Sequence, residues 1–308
     1  MIQIGYGHLG KWHAQKALEV FKDNFIGIVE VDKSKHEILQ KTYPNQRITD
    51  KLDSLLPEAD AAFIVTPTSF HFELIKTCFK GNLHVFCEKP LTETHDQALE
   101  VKKMMSNQGN LKLQVGHSER FHPVWSELKN DLESAVMFNL TRRAPFKGRG
   151  ADVNIIQDLM IHDFDLLFYF LGKPPVSIDA SGLKIVSDNL DYVKAYLDFG
   201  CGQTATVIAS RVSTQEQREM IAVTSSGEIA VDLMNTKYSR SCFEKDEFKV
   251  IDSTYQKADH LLEEHKYFKQ LIMKGSKPVV GIEDAEIVMK MIDMTLASVE
   301  SGEKILWK

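Results

Sequence analysis

The stretch IQIGYGHLGKWHA, residues 2–14, decides the fold. It spaces Gly5, Gly7 and Gly10 as G-x-G-x-x-G, after a short apolar run and before an amphipathic stretch. Glycines at this spacing between a strand and a helix let the backbone approach a pyrophosphate, which sits at the helix N-terminus. Three glycines alone could simply form a turn. The flanking pattern predicts a dinucleotide-binding βαβ unit, with an unusually short first strand.

A carboxylate should follow about 20 residues later, at the end of the second strand, to bind the ribose hydroxyls of the dinucleotide. Glu30 occupies this position, and Asp32 follows two residues later. Either acid could also be an ordinary solvated residue at a strand end. With the whole pattern in register, we predict that Glu30 binds the ribose. A carboxylate there repels a ribose phosphate, so NAD is favoured over NADP, although Lys33 is close in sequence.

Short apolar runs alternate with amphipathic stretches over residues 1–116. The runs are residues 1–4, 25–31, 61–65, 83–86 and 111–115, and the helical patterns are residues 11–22, 70–81 and 94–109. This alternation predicts an α/β fold in which an N-terminal Rossmann domain has a doubly wound parallel sheet.

The pattern changes after residue 120. Residues 192–199, 205–212 and 228–234 read as strands, and in the first of these apolar and polar positions alternate. This pattern predicts a C-terminal α+β domain with an open, mostly antiparallel sheet, followed by two final helices near 258–274 and 283–300. We predict two domains, an NAD-binding Rossmann domain over residues 1–118 and a substrate-binding and oligomerisation domain over residues 119–308.

Ligands of open parallel sheets bind beyond the carboxyl ends of the strands. Three predicted strands end in polar segments, VTPTSFH (65–71), CEKPLTE (87–93) and GHSERFHP (116–123). Glu88 and Lys89 could form an ordinary exposed ion pair, which is the commoner outcome for a single pair. Three polar strand ends at one edge of a dinucleotide fold favour a functional site instead.

The segment NIIQDLMIHDFDLLFYFLG, residues 154–172, predicts a mostly apolar helix with one polar stripe. At about 100° per residue, five polar side chains fall within an arc of roughly 80°, and Asp163 lies away from it. They are Asn154, Asp158, His162, Asp165 and Tyr169. Buried acids need partners or a function. Asp158 and His162 could satisfy each other inside a core, or the stripe could face a cleft and carry chemistry.

Composition narrows the classes of function. The 308 residues are 43% hydrophobic and 26% charged, with a net charge of −6, which argues against a nucleic-acid-binding surface. No apolar run approaches the roughly 18–20 residues of a membrane span. The four cysteines are scattered without a C-x-x-C pair, which favours reduced thiols in a cytoplasmic protein. No cysteine lies near the 154–172 segment, so we expect no metal site there.

The stretches GYGHLG, VTPTSFH, FCEKPL, GHSERF and DLMIHDFD, in this order, resemble the Gfo/Idh/MocA family of NAD(P)-dependent sugar and inositol oxidoreductases. The resemblance covers essentially the whole chain. It implies an NAD-dependent enzyme that oxidises a CH–OH group and assembles as a homodimer or homotetramer. One departure is Met160, which stands where many members have glycine; the residue lies off the polar stripe, so it should change packing more than chemistry.

The resemblance also implies roles for individual residues. Lys89 corresponds to the lysine of the family's E-K-P element, and Asp158 and His162 correspond to its D-x-G-x-H pair. We expect His162 to act as the general base, oriented by Asp158, while Lys89 polarises the reacting oxygen; the reverse assignment, with Lys89 as the base, stays open. The implied NAD-binding residues are Gly5, Gly7, His8, Leu9, Gly10, Glu30, Thr66, Pro67, His71, Glu88 and Lys89. The implied substrate-binding residues are Lys89, Arg120, Arg149, Asp158, His162 and Arg211.

The substrate is the least determined part. The segments GHSERF, RRAPFKGRG and ASRVS resemble the subgroup that oxidises UDP-N-acetylglucosamine at its 3-hydroxyl. Basic residues that would suit its diphosphate are Arg142, Arg143, Lys147, Arg149 and Arg211, although any one of them could be a solvated charge. The alternatives are a free sugar or inositol dehydrogenase and a non-catalytic NAD-binding regulatory protein. The regulator should have lost Lys89 or the Asp158/His162 pair, and both are present.

Overall fold

A computed structural model describes residues 1–146, 148, 153–244 and 246–308, without the side chain of Glu244. Within these residues no helix is long and apolar enough to cross a membrane. All four cysteines are free thiols.

The chain forms two compact units. Unit 1 comprises Met1–Phe121 and Asp259–Met289, and unit 2 comprises His122–Ala258 and Lys290–Lys308. The first boundary lies close to the predicted one after residue 118. The two predicted domains were contiguous, however, whereas residues 259–289 join unit 1.

Unit 1 is built on a six-stranded sheet in the order β3-β2-β1-β4-β5-β6, in which every pairing is parallel. Its strands are β1 (Ile2–Ile4), β2 (Gly27–Val29), β3 (Arg47–Thr49), β4 (Ala61–Ile64), β5 (His84–Glu88) and β6 (Leu113–Gly116). The residues of β1, β2 and β4 are buried throughout, as expected for parallel strands covered on both faces. The predicted Rossmann sheet is therefore confirmed.

The helices of unit 1 include one that arrives from the far end of the sequence. They are α1 (Gly10–Phe21), α2 (His36–Thr42), α3 (His71–Lys80), α4 (His95–Met105) and, much later in the chain, α7 (His260–Lys274). Phe268 and Leu271 of α7 are fully buried in the same hydrophobic core as Phe63 and Phe86. The Phe63 and Phe268 rings pack edge to face with centroids 5.1 Å apart. This packing is why residues 259–289 belong to unit 1.

Unit 2 contains a nine-stranded sheet in the order β14-β13-β12-β11-β7-β10-β9-β8-β15, mostly antiparallel, with β7 and β10 parallel. Its strands are β7 (Met137–Arg143), β8 (Ser177–Leu183), β9 (Tyr192–Asp198), β10 (Thr204–Ser210), β11 (Gln217–Thr224), β12 (Gly227–Asp232), β13 (Lys237–Glu244), β14 (Glu247–Thr254) and β15 (Ile305–Leu306). Val193, Ala195 and Leu197 of β9 are buried, while Lys194 and Tyr196 between them are exposed, as the alternation predicted.

The remaining helices are α5 (Val124–Glu133), α6 (Ile161–Leu171) and α8 (Ile282–Ser301). A π-helical segment, Ile156–Met160, precedes α6 directly, so the predicted single helix over 154–172 has two parts of different winding. It ends at Gly172, which has φ 62° and caps α6 in the left-handed conformation, as glycine does most readily.

Candidate active site

The glycine motif forms the turn between β1 and α1. A side chain on Gly5, which has φ +96°, would place its Cβ 2.5 Å from the Val65 carbonyl oxygen, and one on Gly10 would come within 2.7 Å of the Gly5 carbonyl. A Cβ on Gly7 would meet nothing within 4 Å. The first and third glycines therefore permit close backbone packing, and the second leaves open space before α1. This arrangement fits a pyrophosphate held at a helix N-terminus, and the exposed residues His8 and Leu9 complete the turn.

Glu30 follows β2 and is tied to the glycine turn. Its Oε2 accepts a hydrogen bond of 2.8 Å from the Tyr6 N–H, and its Oε1 accepts one of 2.9 Å from the Asp32 N–H. The nearby cation is Lys35, whose Nζ lies 3.5 Å from Glu30 Oε2, whereas Lys33 forms an ion pair elsewhere. These contacts fix the Glu30 carboxylate beside the turn, where the ribose of a dinucleotide lies in this fold.

The loop after β4 carries Thr66, Pro67 and His71. His71 is fully buried, with Nε2 2.9 Å from the Thr66 carbonyl and Nδ1 2.9 Å from the Pro90 carbonyl. Burial lowers the pKa of His71, and a neutral imidazole has one N–H, so it donates to one of these two carbonyls at a time. The ring thus joins two strand-end loops. The Thr66 hydroxyl is covered and makes no hydrogen bond to the described residues.

The E-K-P element begins at the last residue of β5. Glu88 is only 8% exposed; its Oε1 lies 2.9 Å from His13 Nε2, and its Oε2 accepts a hydrogen bond of 3.1 Å from the Lys89 N–H. Burial by itself would raise the pKa of Glu88, but the hydrogen bond and charge of His13 and the charge of Lys89 outweigh it and lower the pKa. Glu88 is therefore a buried carboxylate, ionised at neutral pH. Lys89 follows it, half-buried, with a cis peptide bond to Pro90.

The segment after β6 holds buried polar residues. His117, Glu119 and Arg120 are all less than 9% exposed. Arg120 Nη1 donates to the Asp284 carboxylate at 2.8 Å and to the Val279 carbonyl at 2.9 Å. These contacts anchor the start of α8 within unit 1. The role of Arg120 in substrate binding stays a prediction.

Asp158 and His162 lie on either side of the change in helical winding in unit 2. Asp158 belongs to the π-helical segment and His162 to the first turn of α6. At the junction, the Ile161 N–H donates to the Ile156 carbonyl five residues earlier. Such π-turns occur frequently at functional sites. Both side chains are half-buried, so they keep some solvent access.

The other two acids of the segment are buried. Asp163 is 4% exposed and Asp165 is fully buried. Asp163 Oδ1 lies 3.0 Å from Arg142 Nη2, in an ion pair that joins α6 to β7. Met160 is also fully buried, which agrees with its expected packing role. Burial therefore separates Asp158 and His162 from the acids beside them.

Arg211 anchors the chain at Val153, just before the π-helical segment. It is 5% exposed; its Nη2 donates to the Val153 carbonyl at 2.7 Å, and its Nε lies 3.7 Å from Asp191 Oδ1. Its role in substrate binding stays a prediction. Arg149 lies outside the described residues, as does Lys147.

Asp191 in turn organises the loop between β8 and β9. Its Oδ2 accepts hydrogen bonds from the Ile185 and Val186 N–H groups at 2.6 and 2.7 Å, and its Oδ1 accepts one of 2.7 Å from the Ser187 hydroxyl. Burial by itself would raise the Asp191 pKa, but these hydrogen bonds outweigh it and lower the pKa to about 2. The carboxylate is therefore a fixed negative charge beside Arg211.

Known proteins share this architecture. Residues 2–117 match the model of an oxidoreductase family with an NAD-binding Rossmann fold, and residues 135–230 match the GFO/IDH/MocA C-terminal domain. A UDP-N-acetylglucosamine 3-dehydrogenase of Acidithiobacillus ferrooxidans is 35% identical over 239 residues, which cover 75% of this chain and 73% of that protein. The chain belongs to the GFO/IDH/MocA oxidoreductase family.

A solved structure of the same enzyme and one further relative agree with this family membership. The solved structure of the A. ferrooxidans UDP-N-acetylglucosamine 3-dehydrogenase superimposes with a TM-score of 0.91 at 28% identity and covers 97% of both chains. An inositol 2-dehydrogenase of Rhizobium meliloti is 27% identical over 248 residues, 74% of each chain. The GFO/IDH/MocA protein described here is thus an oxidoreductase with an NAD-binding Rossmann domain.

Within this GFO/IDH/MocA chain, the implied NAD-binding residues gather at the carboxyl ends of β1, β2, β4 and β5 in unit 1. Asp158 and His162 belong to unit 2. Sequence reasoning missed His13 and His265, which contact each other and, through His13, Glu88. The available signal for His13 was its place on the inward face of α1, beside Ala14 and Ala17. His265 gave no comparable signal because α7 follows unit 2 in sequence.

Proposed function

We propose that this protein is an NAD-dependent dehydrogenase that oxidises a ring secondary hydroxyl of a nucleotide sugar to a ketone, with UDP-N-acetylglucosamine at its 3-hydroxyl as the first substrate to test. The observation that carries the proposal is the 35% identity to a UDP-N-acetylglucosamine 3-dehydrogenase over three quarters of the chain. The half-buried lysine of the E-K-P element and the solvent-accessible Asp158/His162 pair support it, because they are residue types that this oxidation requires.

Oxidation of a secondary alcohol removes a hydride from carbon and a proton from oxygen. NAD, when bound, supplies the hydride acceptor. Histidine is the side chain that ordinarily exchanges a proton near neutral pH, so His162 is suited to accept the proton. Asp158, one turn away, would orient the imidazole and stabilise its charged form. Lys89 would polarise the substrate oxygen with its ammonium group. The reverse assignment gives the proton to Lys89, and pH–rate profiles of the two variants distinguish them.

The basic residues expected to contact a diphosphate differ in their surroundings. Arg142 and Arg211 are buried against Asp163 and Asp191. Arg143, the last residue of β7, is only half-buried. A guanidinium in that condition suits a phosphate oxygen. We therefore propose Arg143, before Arg142 or Arg211, as the diphosphate contact.

The second candidate is a free sugar or inositol dehydrogenase, which the similarity to the R. meliloti inositol 2-dehydrogenase supports. The chemistry at the hydroxyl is the same, but such a substrate has no diphosphate. Arg143→Met should then leave its KM unchanged, whereas the KM for a nucleotide sugar should rise about tenfold or more, as for a lost charge-assisted hydrogen bond.

The test is a panel of UDP-N-acetylhexosamines, free hexoses and inositols with NAD, followed by NADH absorbance for the wild type and Arg143→Met. Turnover of a nucleotide sugar that Arg143→Met impairs through KM supports the first candidate. Turnover confined to inositols or free sugars supports the second. If no compound is turned over, with NADH binding intact, the proposed function is wrong.

We also propose that the protein is a homodimer or homotetramer assembled through the open sheet of unit 2. The outward face carries exposed side chains such as Met137 and Tyr196, and β13 and β14 expose Phe243 and Phe248. Exposed apolar groups of this extent usually mark an interface. A monomer mass in light scattering at micromolar concentration would contradict the assembly.

A cytoplasmic location remains our inference from the cysteines. Cys78 and Cys87 are buried, and burial raises the pKa of Cys78 to about 12 and that of Cys87 well above its usual value. Such thiols are inert, small hydrophobic residues. A protein with four free thiols suits a reducing compartment.

A further inference from the structure

His13 connects the glycine-motif helix to the E-K-P element inside unit 1. It lies on the inward face of α1 and is fully buried, against the rings of Phe63 and Phe86. Its Nε2 lies 2.9 Å from Glu88 Oε1, and its Nδ1 lies 3.0 Å from Nε2 of His265 on α7. Three segments distant in sequence thus meet at one imidazole.

The chemistry of the partners assigns the protons. An ionised Glu88 can only accept, so His13 must carry a proton on Nε2 and donate it. The 3.0 Å contact between His13 Nδ1 and His265 Nε2 requires one proton, which either nitrogen can carry. Burial, followed by the charge of His13, lowers the pKa of His265 well below its usual value, so His265 is the neutral member of the pair. These two contacts therefore connect His265, His13 and Glu88 in one chain.

The Glu88 carboxylate is confined on its other side by Gly116 of β6. A Cβ at Gly116 would lie 2.8 Å from Glu88 Oε1 and 2.9 Å from its Cδ, which is closer than such atoms approach. Glu88 is thus held between His13 and a glycine, and its second oxygen accepts the Lys89 N–H. A shift of the carboxylate would strain or break this hydrogen bond, which is 3.1 Å long.

We propose that His13 is a positioning residue that sets the Lys89 backbone through Glu88 and so couples the helix at the pyrophosphate site to the lysine at the end of β5. The proposal rests on the proposed role of Lys89 in turnover. A merely structural pair would stabilise the core without affecting the rate per folded molecule. A positioning role loses rate as well, because a misplaced catalytic group can cost about 100-fold.

Three variants separate these roles. His13→Leu removes both polar contacts of His13. His13→Gln keeps one donor and one acceptor, and Gly116→Ala pushes on Glu88 while His13 is unchanged. The matched control is His84→Leu at the start of the same strand, where a half-buried imidazole accepts the Lys112 N–H at 3.0 Å. All four are compared with wild type by thermal melting, NADH binding, and kcat and KM for the substrate found above.

We expect kcat per folded enzyme to fall about 10- to 100-fold in His13→Leu and Gly116→Ala, with KM for the sugar changed less. His13→Gln should recover most of the rate, and His84→Leu should melt earlier with kcat unchanged. Equal kcat for wild type and folded His13→Leu would overturn the proposal, as would a His13→Gln variant as slow as His13→Leu.

A readout without turnover tests the same coupling if no substrate is found. In protein labelled with 15N-lysine, the Lys89 amide resonance, assigned by Lys89→Arg, should move in His13→Leu and Gly116→Ala and return in His13→Gln. In protein labelled with 15N-histidine, long-range 1H–15N correlation should show His13 protonated at Nε2. An unmoved Lys89 amide, or an unprotonated His13 Nε2, overturns the proposal whatever the activity.

Discussion

The ion pair between Arg142 and Asp163 gives a prediction that separates a structural arginine from a substrate-binding one. The Arg142 Nη2 and Asp163 Oδ1 atoms are 3.0 Å apart, and Nε lies 3.3 Å from the same oxygen. The two side chains are only 4% and 5% exposed. Replacing Arg142 with Met keeps the length of the side chain but leaves the Asp163 carboxylate without its guanidinium.

The expected cost follows from this burial. Removing one partner of a buried ion pair typically costs about 3–5 kcal/mol, because the other charge stays desolvated. Replacing both partners with apolar residues is often close to neutral. Arg142→Met should therefore lower the free energy of unfolding by about 3 kcal/mol or more, and Arg142→Met combined with Asp163→Leu should recover most of that loss.

The assay is urea unfolding followed by tryptophan fluorescence and circular dichroism, with the slopes compared among variants. Arg240 and Asp131 provide the matched control in the same unit; their atoms are 2.8 Å apart, but the side chains are 39% and 47% exposed. Arg240→Met should cost less than about 1 kcal/mol. An Arg142→Met variant as stable as wild type, with a tenfold higher KM for a nucleotide sugar, would refute this reasoning and return Arg142 to the substrate.

Three further predictions concern the site and its supports. His162→Ala should lower kcat by about 10²–10⁴-fold. NAD affinity should stay nearly unchanged, because the glycine motif belongs to unit 1 and His162 to unit 2. If the pKa on the basic limb of the pH–kcat profile persists in this variant and vanishes in a Lys89 variant, Lys89 is the base. The wild type should bind NAD more tightly than NADP, and Glu30→Gln should bring the two dissociation constants closer together. Equal dissociation constants for NAD and NADP in the wild type would contradict the role of Glu30. Asp191→Asn should lower the free energy of unfolding by about 1–2 kcal/mol at pH 7. Because the Asp191 pKa is lowered to about 2, the stabilisation by the carboxylate is present above about pH 4 and is lost as the pH falls toward 2. An equal loss at pH 7 and pH 3, measured by urea unfolding, would count against a role for the carboxylate charge.

Much of the Rossmann unit could be predicted from sequence because its strands are short, continuous apolar runs. The exception was β3, Arg47–Thr49, whose residues are exposed or half-buried at the edge of the sheet. A strand of three residues without a buried side chain leaves no apolar run to detect. The same holds for α2, which buries only Leu39.

The sequence pattern could not assign helix α7 to a unit. The amphipathic period of residues 258–274 predicted α7 but does not say which core its apolar face enters. Phe268 and Leu271 complete the core around Phe63 and Phe86, more than 170 residues earlier in the chain. Only the packed structure places His265 beside His13.

The acids of the 154–172 segment illustrate what a periodic pattern can and cannot decide. The arc at 100° per residue assumed one uniform α-helix, but Asp158 lies in a π-turn, where hydrogen bonds span five residues instead of four. The helical angle of each residue therefore could not show which acids are buried. What separates them is the sheet of unit 2, because β7 brings Arg142 to Asp163 and buries both, while Asp158 and His162 keep their exposure. A cation supplied by a neighbouring strand turns one acid of an apolar helix into a structural ion, whereas Asp158, only half-buried on the same helix, is the acid that we propose for the substrate site.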